Sequence, residues 1–310
     1  MHETSFITDS EGKKLHLYTW QPNQEAIGVI QILHGMAEHA GRYNMFAKKL
    51  AGNGYVVYAH DHRGHGKTDP DQLGFISEQD GFDLLVQNVE DITNHIKKEH
   101  PELPVVMFGH SMGSFLLQRF LQKSSFSPDA VVYSGSNGKP PAILNAGILI
   151  ASILKKLFGP EAKSPLLEKM SFGAYNKKFK PNRTDFDWLS RDNAMVDLYI
   201  DDPLCGFTCS TSFYHQLFTG LKKLHSHKPF ADHTKDIPIL IVSGDADPVS
   251  EMGKGIKSLE KCVRNSSVTD LEVKVYPGGR HEMLNEINRD EVMDFIINWI
   301  SKKLDDTGQY

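Results

Sequence analysis

A serine lies between two glycines where the pattern of residues 105–120, VVMFGHSMGSFLLQRF, changes abruptly. The apolar, valine-rich start predicts a buried strand, and the residues from Met112 onward have the spacing of a helix. A serine at such a corner, in the pattern Gly109-x-Ser111-x-Gly113, is typical of a nucleophile elbow. The hydroxyl would be held beside the free N–H groups of a helix N-terminus, where a developing oxyanion can be stabilised. The alternative is a glycine-rich turn with an incidental serine.

A serine hydroxyl at its ordinary pKa is a poor nucleophile, so it needs a histidine base and a carboxylate that orients the histidine. Both residue types follow predicted strands later in the chain. Asp245 and Asp247 end the segment IPILIVSGDADP (residues 237–248), and His281 lies in YPGGRHEML (residues 276–284). We expect these side chains to meet Ser111 at the carboxyl edge of a parallel sheet. From position alone, either aspartate could be the partner, and the other could cap a helix or hold the loop.

The tetrahedral intermediate of acyl transfer needs two backbone N–H donors. One is the N–H of Met112, directly after the serine. The other is expected in the loop after the first core parallel strand, HGMAEHAGRY (residues 34–43), where Met36 is the natural donor. The side chains of both residues are incidental, because the backbone N–H groups do the work.

The elements that must position these residues alternate between strand and helix patterns. Two strand-like runs around residues 10–12 predict a hairpin. Strand and helix patterns then alternate up to residue 136, which predicts a mostly parallel sheet with helices on both faces. The alternation stops between residues 137 and 232, where the pattern is mostly helical, and then resumes. We predict one α/β core of residues 1–136 and 233–310 with a mostly helical insertion at 137–232. The alternative is two independent domains.

Composition narrows the classes of partner and location. The chain has 310 residues, a formal net charge of −5 and no cluster of five Lys or Arg residues. Nucleic acid is therefore not an expected partner. Its first residues lack the apolar core of a signal peptide, and its three cysteines lack metal-ligand grouping. We therefore expect reduced thiols and a cytoplasmic protein. The longest uncharged run, residues 140–154, is shorter than the roughly 20 residues of a membrane-spanning helix.

Taken together, the motifs resemble those of the monoacylglycerol lipase and lysophospholipase family of serine α/β-hydrolases. The resemblance implies that Ser111, Asp247 and His281 form a catalytic triad, with Met36 and Met112 as oxyanion donors. It also implies a helical cap, fatty acyl esters as substrates and an acyl-enzyme, without a metal or organic cofactor. The alcohol part of the substrate and the oligomeric state are not assigned. The matching motifs are HGMAEH with RY (residues 34–39 and 42–43), HDHRGHG (60–66), GHSMG (109–113), GDAD (244–247), and the histidine after YPGG (276–279).

Three functions other than ester hydrolysis fit parts of the sequence. The first is a peptidase with the same triad, because related hydrolases cleave N-terminal residues. A zinc metallohydrolase is another, since His60, His62 and His65 form an H-x-H-x-x-H pattern after a predicted strand. Such sites usually carry an aspartate before the third histidine, where this chain has Gly64. The third is a catalytically dead hydrolase fold that acts as a binding module, which the intact triad argues against.

One cap segment, residues 142–158 (AILNAGILIASILKKLF), predicts a helix with apolar residues on more than one face. Our hypothesis is that Leu149 and Ile153 line an acyl channel that leads to Ser111. Lys155 and Lys156 at its end would suit anionic headgroups, which predicts a transient contact of the cap with a membrane surface. The alternative is a helix fully buried between cap and core.

Overall fold

The computed structural model of the chain describes residues 2–139, 144–226 and 234–306. In this part of the chain, eight strands form one sheet in the order β1-β2-β4-β3-β5-β6-β7-β8. The strands are β1 (His2–Thr8), β2 (Lys14–Trp20), β3 (Gly28–Leu33), β4 (Tyr55–His60), β5 (Val105–His110), β6 (Ala130–Ser134), β7 (Ile239–Gly244) and β8 (Leu271–Tyr276).

The first two strands form the predicted antiparallel hairpin, and β2 pairs antiparallel with β4. All pairings from β4 to β8 are parallel. The α/β-hydrolase class expected from the sequence is confirmed. Consequently the carboxyl ends of β3, β5, β7 and β8 lie along the same edge of the sheet, where parallel sheets place their sites.

Nine helices occur in the described residues. They are α1 (Asn44–Gly52), α2 (Gly81–Glu99), α3 (Met112–Lys123), α4 (Leu144–Phe158), α5 (Pro165–Phe172), α6 (Asn193–Asp201), α7 (Thr211–Ser226), α8 (Lys254–Asn265) and α9 (Arg289–Asp306), with short 3₁₀ turns at Ala40–Tyr43, Tyr175–Phe179 and Met283–Asn285.

Helices cover both faces of the sheet, which explains why its central strands are apolar at nearly every position. In β5, Val106 and Phe108 pack with α1 and α9, whereas Met107 packs with α2, α3 and α8 on the opposite face. Every residue of β3 to β7 is buried. The two apolar layers hold the strand ends, and therefore the site, in fixed register.

The helices α4 to α7 are inserted between β6 and β7, which are direct neighbours in the sheet. We call this insertion the cap. Its helix α7 packs against α4 within the cap and against α2 of the core. Residues 140–143 and 227–233 lie outside the described residues, so the boundaries at 137 and 232 stay a prediction. None of the described helices has the length and apolar composition needed to cross a membrane.

Candidate active site

Ser111 occupies the corner between β5 and α3. Its φ of 50° and ψ of −118° lie in a region that non-glycine residues rarely adopt. The Ser111 N–H donates to the Ser134 carbonyl at 3.0 Å, and the Ser111 carbonyl accepts from the N–H of Ser114 at 2.9 Å. These bonds hold the strained corner open, so that the side chain of Ser111 lines a cavity above the sheet.

The two glycines of the corner are required by backbone contacts. A Cβ at Gly109 would lie 2.7 Å from the Gly113 carbonyl oxygen, and one at Gly113 would lie 2.2 Å from the Leu33 carbonyl oxygen. Neither obstacle is a flexible side chain that could move aside. The sequence pattern therefore lets α3 approach both β5 and the end of β3 closely enough to form the corner.

His281 and Asp247 form a buried pair at the ends of β8 and β7. His281 Nδ1 lies 3.0 Å from Asp247 Oδ1, and both side chains are almost fully buried. Asp247 Oδ1 also accepts from the N–H of Val249 at 2.8 Å. Asp245 is exposed and instead accepts from the N–H of Gly278 at 2.7 Å, which holds the neighbouring loop. The structure thus brings Asp247, and not Asp245, to the histidine.

The surroundings of His281 favour its protonated form. Burial acts to lower the pKa, but the Asp247 charge and hydrogen bond, helped by the charges of Glu282 and Glu38, raise the pKa of His281 above its ordinary value. A histidine with this arrangement can hold a proton taken from a hydroxyl and then deliver it to a leaving group.

The loop of residues 34–39 carries Met36 beside Ser111, and we call it the oxyanion loop after the role that we propose for it. Within it, the buried Glu38 carboxylate accepts from the N–H of Gly35 at 2.5 Å and from the Tyr43 hydroxyl at 2.9 Å. The Ala37 carbonyl accepts from two cap groups, each at 2.9 Å. Met112 begins α3 on the other side of the serine. Core and cap therefore fix this loop together.

Arg42, whose role the sequence analysis did not predict, joins the oxyanion loop to the loop after β8 that carries His281. Its guanidinium donates to Glu38 Oε2 at 2.5 Å and makes two hydrogen bonds of 2.7 Å to Glu282, the residue after His281. Burial opposes the charge, yet the Glu282 and Glu38 carboxylates raise the pKa of Arg42 well above its usual range. The spacing of Glu38 and Arg42 by four residues was the signal that could have indicated part of this network.

Trp188, also missed, brings the cap onto the histidine. Its ring lies 5.2 Å from the imidazole of His281, between centroids. The cap segment around Trp188 runs beside the segment that carries His281, since the N–H of Glu282 donates to the Leu189 carbonyl at 2.8 Å. The fully buried Glu286 adds an ion pair of 2.8 Å with Arg191. A single tryptophan in a stretch predicted to be mostly helical gives no sequence signal for such a contact.

Two cavities flank Ser111. The first, of about 390 Å³, is lined by a mixture of aliphatic, aromatic and polar residues that includes Glu168, Asn176 and His281. The second, of about 130 Å³, is mostly apolar, and His281 is not among its described lining residues. Both cavities reach Met36 and Ser111. The apolar lining of the second comprises Met36, Met112, Phe115, Leu144, Phe172, Leu217, Phe218, Leu221 and Val249.

The expectation that Leu149 and Ile153 line an acyl channel is corrected by the structure. Their side chains are 62% and 48% exposed, and they belong to the described lining of neither cavity. The first described residue of α4, Leu144, reaches the apolar cavity instead. Because α4 is apolar on several faces, its spacing does not indicate which face points inward. Ile143, placed by the sequence pattern on the same helix, lies outside the described residues.

The histidines of the metallohydrolase alternative do not form a ligand set. His62 Nδ1 lies 3.1 Å from His60 Nε2, and its Nε2 lies 3.2 Å from the carbonyl oxygen of His34. His65 Nδ1 lies 3.0 Å from the Arg63 carbonyl oxygen. Among the described residues, these three side chains do not bring ligand atoms to a common point. Burial lowers the pKa of His60 and of His65 to about 4, so both are neutral packing residues near pH 7.

Comparisons with known proteins identify the family to which the chain belongs. Residues 24–288 match the family model described as Hydrolase_4, serine aminopeptidase S33. The chain is 29% identical to a monoacylglycerol lipase of Mycolicibacterium smegmatis, covering 94% of this chain and 95% of that one. It is 27% identical to the monoglyceride lipase of Mus musculus, covering 97% and 91%. A carboxyl esterase of Bacillus coagulans, solved with glycerol, superposes with a TM-score of 0.89 at 25% identity over 98% and 99% of the two chains. The chain therefore belongs to the serine aminopeptidase S33 family and is a serine ester hydrolase with the α/β-hydrolase fold.

Proposed function

We propose that the protein hydrolyses monoacyl esters of the monoacylglycerol or lysophospholipid type through an acyl-enzyme on Ser111. The observation that carries the proposal is the position of Ser111 between a cavity of mixed polarity lined by His281 and a mostly apolar cavity lined by Met112. The monoacylglycerol and monoglyceride lipases among the relatives support this substrate class.

In the proposed reaction, His281 takes the Ser111 proton as the serine oxygen attacks the ester carbonyl. The N–H groups of Met36 and Met112 donate to the oxyanion that forms. His281 then gives its proton to the leaving alcohol, and a water activated by the same imidazole releases the fatty acid. Asp247 keeps the imidazole in the productive orientation and stabilises its charged form, in line with the 3.0 Å contact to Nδ1.

The two cavities suit the two halves of the substrate, the alcohol and the acyl chain. The leaving oxygen must lie within hydrogen-bond reach of His281, because this residue protonates it. The alcohol therefore lies in the 390 Å³ cavity that His281 lines, where Glu168 and Asn176 offer hydrogen-bond partners. The acyl chain lies in the 130 Å³ cavity, since its apolar walls gain free energy by covering methylene groups.

We also propose that the outer face of the cap, within the proposed bounds 137–232, contacts a membrane surface transiently while it collects lipid esters. Leu149, Ile153 and Leu157 recur at every fourth residue of α4 and are 62%, 48% and 67% exposed. Lys155 and Lys156 lie in the last turns of the same helix, and basic residues next to an apolar stripe favour anionic lipid surfaces. The three free thiols support a cytoplasmic location.

Ser111→Ala tests the mechanism. It should remove labelling by a fluorophosphonate probe and lower kcat on the order of 10⁶-fold, as nucleophile deletion does in a serine protease. The melting temperature should stay close to that of the wild type. Robust turnover by the variant would refute the mechanism, and an unlabelled, inactive wild type would indicate a binding module.

A substrate panel tests the substrate class. Monoacylglycerols or lysophosphatidylcholine should be cleaved with a higher kcat/KM than aminoacyl-naphthylamides. The reverse order would support the aminopeptidase alternative that the family description suggests.

A further inference from the structure

Three potential metal ligands meet at a second place in the fold, where the oxyanion loop touches the cap. His39 ends the oxyanion loop, and Asp202 and Cys205 follow the cap helix α6. One ligand atom from each of the three residues lies within 4.8 Å of the other two. His39 Nε2 is 2.9 Å from Asp202 Oδ2. In sequence His39 lies 163 positions before Asp202, so only the fold brings it to the two cap residues.

The donor set matches a borderline-soft divalent cation. Zn²⁺ takes imidazole nitrogen, carboxylate oxygen and thiolate sulfur in a tetrahedron with bonds of about 2.0–2.3 Å. Donor atoms around such an ion lie roughly 3.5 Å apart, so the cluster needs movements of about 1 Å. Cys205 is 9% exposed, whereas the side chain of Asp202 is 30% exposed. The ion can enter past Asp202, and a water can complete the coordination.

The hydrogen-bonding state of these groups leaves them available. His39 Nδ1 has no hydrogen-bond partner among the described residues, so the ring is held through Nε2 alone and either nitrogen can face the ion. Burial raises the pKa of the Cys205 thiol. Zinc binding must therefore displace the thiol proton to solvent. The complex of Zn²⁺ with one thiolate and one carboxylate then has no net charge.

The nearby positive charge does not exclude a cation. Arg42 acts on both Cys205 and Asp202, but its guanidinium is engaged by the carboxylates of Glu38 and Glu282. That network of one cation and two anions carries a net negative charge. The electrostatic balance around the cluster therefore favours a bound divalent cation.

We propose that His39, Asp202 and Cys205 form an inhibitory Zn²⁺ site that lies outside the catalytic centre. The ion ties the oxyanion loop to the cap by moving the donor atoms by about 1 Å. It spreads His39 Nε2 and Asp202 Oδ2, which are 2.9 Å apart, and draws the Cys205 sulfur in to complete the site. Met36, the proposed oxyanion donor, is three residues from His39 on the same short loop. A displacement of about 1 Å at a reacting geometry costs on the order of 10²-fold in rate, so zinc lowers kcat by that order.

The site is tested by titrating the whole protein with Co²⁺ and following the thiolate-to-cobalt charge-transfer band in the near ultraviolet. We expect the band to saturate at one Co²⁺ per chain and Zn²⁺ to abolish it by displacement. Cys205→Ser and His39→Gln should remove the band. Cys262→Ser, which changes a half-buried thiol on α8, should keep it. No band in the wild type, or an equal band in Cys205→Ser, would overturn the proposal.

Inhibition is tested separately, as the ratio of kcat without and with Zn²⁺ for each variant on a soluble short-chain ester. The ratio should be on the order of 10² for the wild type and Cys262→Ser and close to one for Cys205→Ser and His39→Gln. Equal inhibition of all four proteins would place the inhibitory ion elsewhere and refute the link to the oxyanion loop. The cobalt spectrum needs no turnover, so a failure of the proposed esterase mechanism would not be mistaken for a failure of this site.

Discussion

Leu217→Trp should shorten the acyl chains that the enzyme accepts. Leu217 is half-buried on α7 and lines the 130 Å³ apolar cavity beside Ser111. A tryptophan there would occupy space that we assign to the acyl chain. Four methylenes excluded from the cavity, at about 0.8 kcal/mol each, amount to about 3 kcal/mol. Since about 1.4 kcal/mol corresponds to a factor of ten, kcat/KM for long-chain esters should fall roughly 200-fold.

The assay compares kcat/KM over a series of p-nitrophenyl esters from acetate to dodecanoate. Acetate and butyrate esters should be affected little, because they leave most of the cavity empty. Leu149→Trp is the matched control, since it makes the same change at a residue that is 62% exposed on the outer face of α4. It should leave the chain-length profile unaltered, and melting curves should show that both variants are folded.

Two outcomes would refute the assignment of the acyl chain to this cavity. The first is an equal loss on every ester in folded Leu217→Trp, which would indicate a general disturbance of Ser111. The second is a chain-length shift in Leu149→Trp alone, which would return the acyl channel to the outer face of α4.

Further predictions concern the histidine and the cap surface. Neutral His281 is the base, so kcat/KM should fall as the pH falls through the pKa of His281. Because this pKa is raised, the fall should lie above the pKa of an ordinary histidine. Asp247→Asn should move this fall in activity to lower pH and reduce kcat about 10⁴-fold. Asp245→Asn should do neither. Equal effects of the two substitutions would contradict the assignment of Asp247 as the partner of His281. Replacing Leu149 and Leu157 together by serine should weaken flotation with anionic vesicles while hydrolysis of a soluble butyrate ester is retained. Unchanged flotation would argue against membrane contact through α4.

Much of the fold is determined locally and could therefore be predicted from the sequence. The strand preceding Ser111 is buried at every position because both faces of the sheet are covered, and Gly109 is dictated by a backbone contact with Gly113, four residues away. Short-range rules of this kind appear directly as residue types at fixed spacing. The order of Ser111, the aspartates and His281 along the chain, each after a predicted strand, likewise placed them at one edge of the sheet.

Other features were decided only by the tertiary structure, because they depend on distances between segments far apart in the chain. Asp245 and Asp247 are equivalent by pattern, and only the packing of the loops after β7 and β8 brings Asp247 to His281.

The same holds for the cap. Helix α4 is apolar around most of its circumference, so the side-chain period does not select an inner face. In the structure, Leu149 lies on the exposed face of this helix. The hydrogen bonds of Arg42 to Glu282 join two core loops that are far apart in sequence, and His39 meets Cys205 where the cap contacts the core. Sequence periodicity determines which residues share a face, but only three-dimensional packing determines what that face contacts.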